Sequence, residues 1–221
     1  ISDLELDFDI PAAVFSGEKL RNEDLTLAFS VRDGRVKYIS TMTPLTDAIG
    51  AGVLRGNSLE FAVTSGEIGS LDITRGQVDI PRLFPKGGDL VIDVEGTGPA
   101  TEMLALIDQK PFLFTSRYGL KPSDFSGQGH VHLNIRRPLL EYFDKSRIEY
   151  AVDGNFTDVS IPYSMGVHRL EKGDFSLKAD SSGMTVKGPT NFGPWRTELE
   201  WKESFGTSGK PTQYRLAGKM D

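Results

Sequence analysis

Apolar and polar residues alternate along most of this chain, and that period of two limits its fold more than any other feature. Leu4, Leu6, Phe8 and Ile10 alternate with Asp3, Glu5, Asp7 and Asp9. The pattern recurs in Leu25, Leu27, Phe29 and Val31, in Leu59, Phe61 and Val63, and in Leu90, Ile92 and Val94. It returns in Val131, Leu133 and Ile135, in Ile148, Tyr150 and Val152, and in Phe175 and Leu177. Met184 with Val186, Leu199 with Trp201, and Tyr214 with Leu216 continue it. Successive side chains of a strand point to opposite faces, so each run has one oily face and one wet face. One-sided burial of this kind belongs to antiparallel sheets.

Turn chemistry separates the runs. Asp33-Gly34 in "RDGR" predicts a hairpin, and Gly56-Asn57, Gly127 to Gly129 and "SSG" at 181–183 mark further boundaries. Three short helices are expected. One is a turn or two opened by Pro44 after Thr43, and one is "PATEMLALIDQ" at 99–109 with Pro99 in its first position. The third is "RPLLEYFDK" at 137–145, opened by Pro138.

Asp9-Ile10-Pro11, Asp79-Ile80-Pro81 and Ser160-Ile161-Pro162 repeat a motif, each ahead of a loop and another strand-like run. Proline lacks the ladder donor, so each Ile-Pro should end a strand or lie at an edge. The spacing predicts a unit of several strands recurring imperfectly about every 70–80 residues, over about 1–40, 52–98 and 127–188. With the helix near 99–109, these make residues 1–221 a single β module. The chain starts directly in strand-like alternation and reads as a piece cut from a longer protein, with any targeting or anchoring segment outside it.

A net charge of −6 argues against binding a nucleic-acid backbone. The absence of cysteine excludes disulfides, thiol nucleophiles and thiolate metal sites. His130 and His132 project to one side of their strand, but it is the wet side shared with Asn134 and Arg136, and the only other histidine is His168. Solvated histidines, with no metal, are the expectation. "EGTGPAT" at 95–101 has threonine where a phosphate-binding loop needs its third glycine, and no Gly-Lys-Ser/Thr follows. No Gly-x-Ser-x-Gly elbow occurs, and the acids sit on wet faces. Trp195 and Trp201 are expected to pack at strand ends. No enzyme, cofactor or catalytic residue is expected.

One oily face per strand can be buried in a closed sandwich or barrel, or inside a long curved sheet that leaves a hydrophobic trough. Alternation alone leaves both open. The segment "GLKPSDFSGQGHVHLNIRRPLLEYFDKSRIEYAVDGNFTDVSIP", followed by "LEKGDFSLKADSSGMTVKGPTNFGPW" and "ELEWKESF", resembles the AsmA-like proteins of Gram-negative bacteria, in particular their YhdP-type and TamB-type members. The resemblance rests on Gly127, Pro138, Leu139, Gly154, Asp158, Val159, Ile161, Pro162, Gly173, Gly188 and Trp201, which are structural positions rather than a catalytic signature.

The resemblance implies a mainly β fold, a repeat-built and strongly curved antiparallel sheet forming a hydrophobic groove. It implies a periplasmic segment of a protein anchored in the inner membrane, with phospholipid acyl chains as partners and transport toward the outer membrane. Leu25, Leu27, Phe29, Leu59, Phe61, Val63, Val131, Leu133, Ile135, Ile148, Tyr150, Val152, Phe175 and Leu177 are the residues expected to line the groove. The rival reading is a scaffold for outer-membrane assembly that binds partner proteins through its sheet edges.

Overall fold

The structure is a computed structural model that describes all residues except 1–2, 9–11, 18–23, 40, 111, 118, 141, 143, 145–146, 166–167, 206–211 and 219–221. The strands are β1 (Asp3–Phe8), β2 (Leu25–Val36), β3 (Leu45–Arg55), β4 (Ser58–Ile68), β5 (Leu71–Ile80) and β6 (Asp89–Pro99). After two short helices, α1 (Ala100–Ile107) and α2 (Phe114–Arg117), come β7 (Gln128–Pro138), β8 (Glu149–Met165) and β9 (His168–Asp180). β10 (Gly183–Phe192), β11 (Trp195–Ser204) and β12 (Gln213–Gly218) complete the sheet. All twelve strands lie side by side in chain order and pair antiparallel.

Such a meander is open, with β1 at one edge and β12 at the other. A compact monomer of 24.3 kDa would expose about 10,000 Å². This chain exposes 13,928 Å², well above that figure, as an open sheet does. Among the described residues, only the cluster of Val159, Phe175 and Leu199, packed by Phe156, Ile161, Leu170, Val186 and Leu216, resembles an ordinary core.

Two-residue turns at Gly56-Asn57 and Ser181-Ser182 close hairpins as their sequences predict. Asp33-Gly34 does not. β2 runs straight through it, Asp33 takes φ 53, and the pairing to β3 shifts on either side of Gly34. The pair makes a bulge rather than a turn.

Bulges recur. Thr64-Ser65 in β4, Thr74-Arg75 in β5, Thr157-Asp158 in β8 and Glu171-Lys172 in β9 are exposed pairs where single polar residues would alternate. Asp158 and Lys172 have positive φ at two of these places, and so does Asp47 of β3, where the pairing to β4 shifts between Thr46 and Ile49. One inserted residue would turn every later side chain to the other face. A polar pair absorbs the slip, so Ile73 and Gly76 of β5 stay on one face.

Three proline expectations change. Pro44 leads into strand β3 and opens no helix, and Pro138 is the last residue of β7, with no helix among the described residues of 137–145. Pro99 caps α1 from outside, one position before its first residue. Ile80-Pro81 ends β5. Ile161-Pro162 lies inside β8 and neither ends the strand nor lies at a sheet edge: it is beyond Thr157, the last β8 partner of β7, and the Ser126 N–H reaches the Ser160 carbonyl beside it at 3.4 Å. Ile10-Pro11 lies outside the described residues.

Candidate functional site

Residues paired across an antiparallel ladder share a face, so the register shows which side chains meet. Phe29, Gly52, Phe61, Val78, Ile92, Ile135 and Tyr150 are successive partners from β2 to β8. Next to this row runs Val31, Gly50, Val63, Gly76, Val94, Leu133, Val152, Ala179 and Met184. A third row is Ile73, Gly96, Val131, Gly154, Leu177, Val186, Trp201 and Tyr214. Leu27, Leu54, Leu59 and Ile80 form a fourth, and Phe156 with Phe175 a fifth. Adjacent strands are about 4.8 Å apart, so six steps of a row span roughly 29 Å. That is close to the ~30 Å hydrocarbon thickness of a bilayer.

These rows make one apolar face. Leu25, Leu27 and Phe29 stand on it from β2, and Leu59, Phe61 and Val63 from β4. Val131, Leu133 and Ile135 come from β7, Tyr150 and Val152 from β8, and Phe175 and Leu177 from β9. Ile148 lies one residue before β8 and is half-buried. Except for Val63 and Phe175, which are buried, these side chains are only half-buried. Period-two reading missed the contributions of β3 and β5, namely Leu54, Leu71, Ile73, Val78 and Ile80.

β3 also supplies Gly50 and Gly52. The rings of Phe29 and Phe61 stack with centroids 5.8 Å apart although β3 lies between their strands. A Cβ at Gly52 would stand 2.4 Å from Phe29 and 2.7 Å from Phe61, so the rings meet above bare backbone.

The helical connection between β6 and β7 lies over this face. Met103 of α1 would be 2.7 Å from a Cβ at Gly129, which faces Phe156. The Gln109 amide accepts the Thr43 N–H and donates to its hydroxyl, both at 2.8 Å, and Phe114 of α2 meets Phe205 edge-on at 5.9 Å. Trp201 stacks on Tyr214 in mid-strand, and Trp195 packs near Phe192 at the start of β11.

The opposite face is polar and cross-linked. Arg75 bonds both Glu95 at 2.7 Å and Asp93 at 2.9 Å. Asp93 also lies 2.7 Å from His132 Nε2 and accepts from Asn134 at 3.1 Å. Among the described residues no group of three His, Cys, Asp or Glu could hold a metal ion. Burial pushes the Asp93 carboxyl up, but hydrogen bonds from Asn134 and His132 and the nearby positive charges outweigh it and hold it low. Glu200, hydrogen-bonded by Lys202 and Lys187, is lowered to about 2.

A carboxyl lowered on folding contributes stability that is present above its unfolded pKa and lost as pH falls through the folded value. The Glu200 contribution should therefore disappear between pH 4.5 and about 2. Thermal midpoints measured across that window should fall less steeply for Glu200→Gln than for the parent. Equal slopes would show that the lysine pair adds nothing.

No described helix is long and apolar enough to cross a membrane. Comparison with curated proteins and with solved structures returned no match. The family model described as YhdP protein matches residues 13–191, which spans β2 to β9 and all but the last residue of β10, and the chain belongs to the YhdP family.

Proposed function

We propose that this chain shields the acyl chains of phospholipids on its apolar face and supports their movement across the periplasm, within a protein anchored in the inner membrane, toward the outer membrane. One observation carries the reading: apolar rows cross up to nine strands and most of their large side chains stay half-exposed, in a chain that exposes well over the surface of a compact monomer. A continuous dry surface lowers the free energy of an alkyl chain without holding any one atom. The mechanism is partition, with no bond made or broken. The recurrence of 70–80 residues belongs to the same proposal, since a repeated unit extends such a surface without redesign.

Photo-crosslinking groups placed singly at Phe61 and Leu133 should capture phospholipid in cells, whereas groups at Glu60 and His132, on the other face, should not. Equal capture from both faces, or none from either in a functional protein, would overturn the proposal. The open edges β1 and β12 favour a second reading, a scaffold that adds partner strands. Crosslinks to protein from both edges, with none to lipid from the apolar face, would favour it.

A further inference from the structure

In a meander every second connection leaves the same end of the sheet. The β3–β4 turn and the β5–β6 and β7–β8 connections share one end, together with the β1–β2 connection. Hydrogen bonds join the first three. The Asn57 carboxamide accepts the Phe84 N–H at 2.6 Å and donates to the Phe84 carbonyl, while the Asn57 carbonyl accepts the Leu83 N–H at 2.7 Å. The Leu139 N–H donates to the Gly88 carbonyl at 2.7 Å.

This framework holds Phe84 out rather than in. Phe84 is 70% exposed and Tyr142, on the neighbouring connection, is 85% exposed. Phe15, in the β1–β2 connection, is 82% exposed. Three hydrogen bonds fix the backbone around Phe84, so its exposure is built in and is not that of a loose loop. A small positive excess is confined to the β5–β6 and β7–β8 connections, since residues 9–24 between β1 and β2 carry four acids against two bases. Segments 81–89 and 136–149 carry six Lys and Arg against four Asp and Glu, in a chain of net charge −6. Arg82, Lys86, Arg136 and Arg147 are exposed and make no ion pair among the described residues. The exposed acids are Asp89 and Glu149, the first residues of β6 and β8 at the feet of the two connections, and Asp144, which is engaged by a partner.

We propose that the β5–β6 and β7–β8 connections form a membrane-contact rim: Phe84 and Tyr142 enter the headgroup region of a bilayer while Arg82, Lys86 and Arg147 meet anionic lipid phosphates. Aromatic rings carried beside cations suit that boundary, where one side is apolar and the other wet and negatively charged. A protein partner would not by itself require the local excess of cations. The rim adjoins the Leu59–Ile80 end of the apolar face, so a contact there sets the bilayer beside that face. The rim does not depend on the face carrying lipid, and the two are tested separately.

The test is co-sedimentation of the 221-residue chain with vesicles of phosphatidylethanolamine containing phosphatidylglycerol, and with neutral phosphatidylcholine vesicles. The chain should bind the anionic vesicles more tightly and lose that preference in high salt. Phe84→Ser with Tyr142→Ser should lower partition at least about tenfold. Arg82→Glu with Lys86→Glu should erase the preference for anionic lipid. Both pairs project into solvent, so circular dichroism and the thermal midpoint should not change. Phe61→Asp should leave vesicle binding intact and abolish phospholipid capture from the apolar face, whereas the rim variants should do the reverse. Vesicle binding that the Phe84/Tyr142 double variant leaves unchanged, or no binding to either vesicle, would overturn the proposal. So would loss of a protein crosslink in cells with vesicle binding unaltered, which would make the rim a protein-docking surface.

Discussion

Gly188→Ala should destabilise the chain by more than about 3 kcal/mol, the upper range for forcing an atom into packed structure. Gly188 sits in β10 at φ 153, in a register facing Leu199 of β11. A Cβ there would lie 1.9 Å from the Asp174 carbonyl oxygen and 3.0 Å from its carbon. Both are backbone atoms of β9, so no side chain can swing aside. The pairing of β9 with β10 is already irregular between Lys187 and Asn191, and relief would have to pull the two strands apart. Those strands carry Phe175 and support its compact cluster with Val159 and Leu199. Gly17→Ala is the control, because Gly17 also has positive φ, 97, yet nothing stands within 4 Å of its Cβ position. It should cost only the backbone term, roughly 1 kcal/mol. Urea unfolding midpoints compare the two. A Gly188→Ala chain as stable as Gly17→Ala would show that the strands are not so closely apposed.

Much of the sheet is legible in the sequence because a half-buried strand must alternate. The described parts of the alternating runs lie in strands, apart from Ile148 one residue before β8, and from β2 to β12 they share one face. What escaped did so for two physical reasons. In β3, "GAG" at 50–52 puts glycine where the pattern needs a large apolar residue, since Phe29 and Phe61 fill that space from either side. In β5, the exposed pair Thr74-Arg75 breaks the period between Ile73 and Gly76 while preserving the face. The same device misleads at Asp33-Gly34. Asp-Gly favours positive φ, and both a tight hairpin and a bulge use it. Only the partner strand decides between them, and here β3 pairs with β2 on both sides of the site.

The helical connection shows a different limit. Its helix is readable from Pro99 and the spacing of Met103, Leu106 and Ile107. Where it rests is not, because that depends on bare backbone at Gly129 and on the distant partners Thr43 and Phe205. The polar face is the reverse case. That His130 and His132 stand on the wet side follows from alternation, and their partners Glu95 and Asp93 follow only from the β6–β7 register.

Aspartate substituted on the apolar face should separate two environments that the sequence writes alike. Phe175 is 5% exposed and packed among Val159 and Leu199. Gly173 lets its ring lie against the strand, since a Cβ there would be 2.2 Å from the Phe175 ring. Phe175→Asp leaves a cavity and buries a carboxylate with no partner, and should cost on the order of 4 kcal/mol or more. Phe61 is half-buried and makes its main contact with Phe29 over Gly52. A carboxylate at 61 keeps part of its hydration, so Phe61→Asp loses the stacked pair and some apolar area, roughly 1–2 kcal/mol. Phospholipid capture should respond differently: Phe61→Asp interrupts the row that runs to Tyr150 and should abolish capture at Leu133 while the chain stays folded. Urea midpoints and crosslinking, measured on both variants, give a two-by-two comparison. Equal and large destabilisation at both positions would mean that the face is sealed throughout, and a folded Phe61→Asp chain with undiminished capture would mean that lipid does not travel along it.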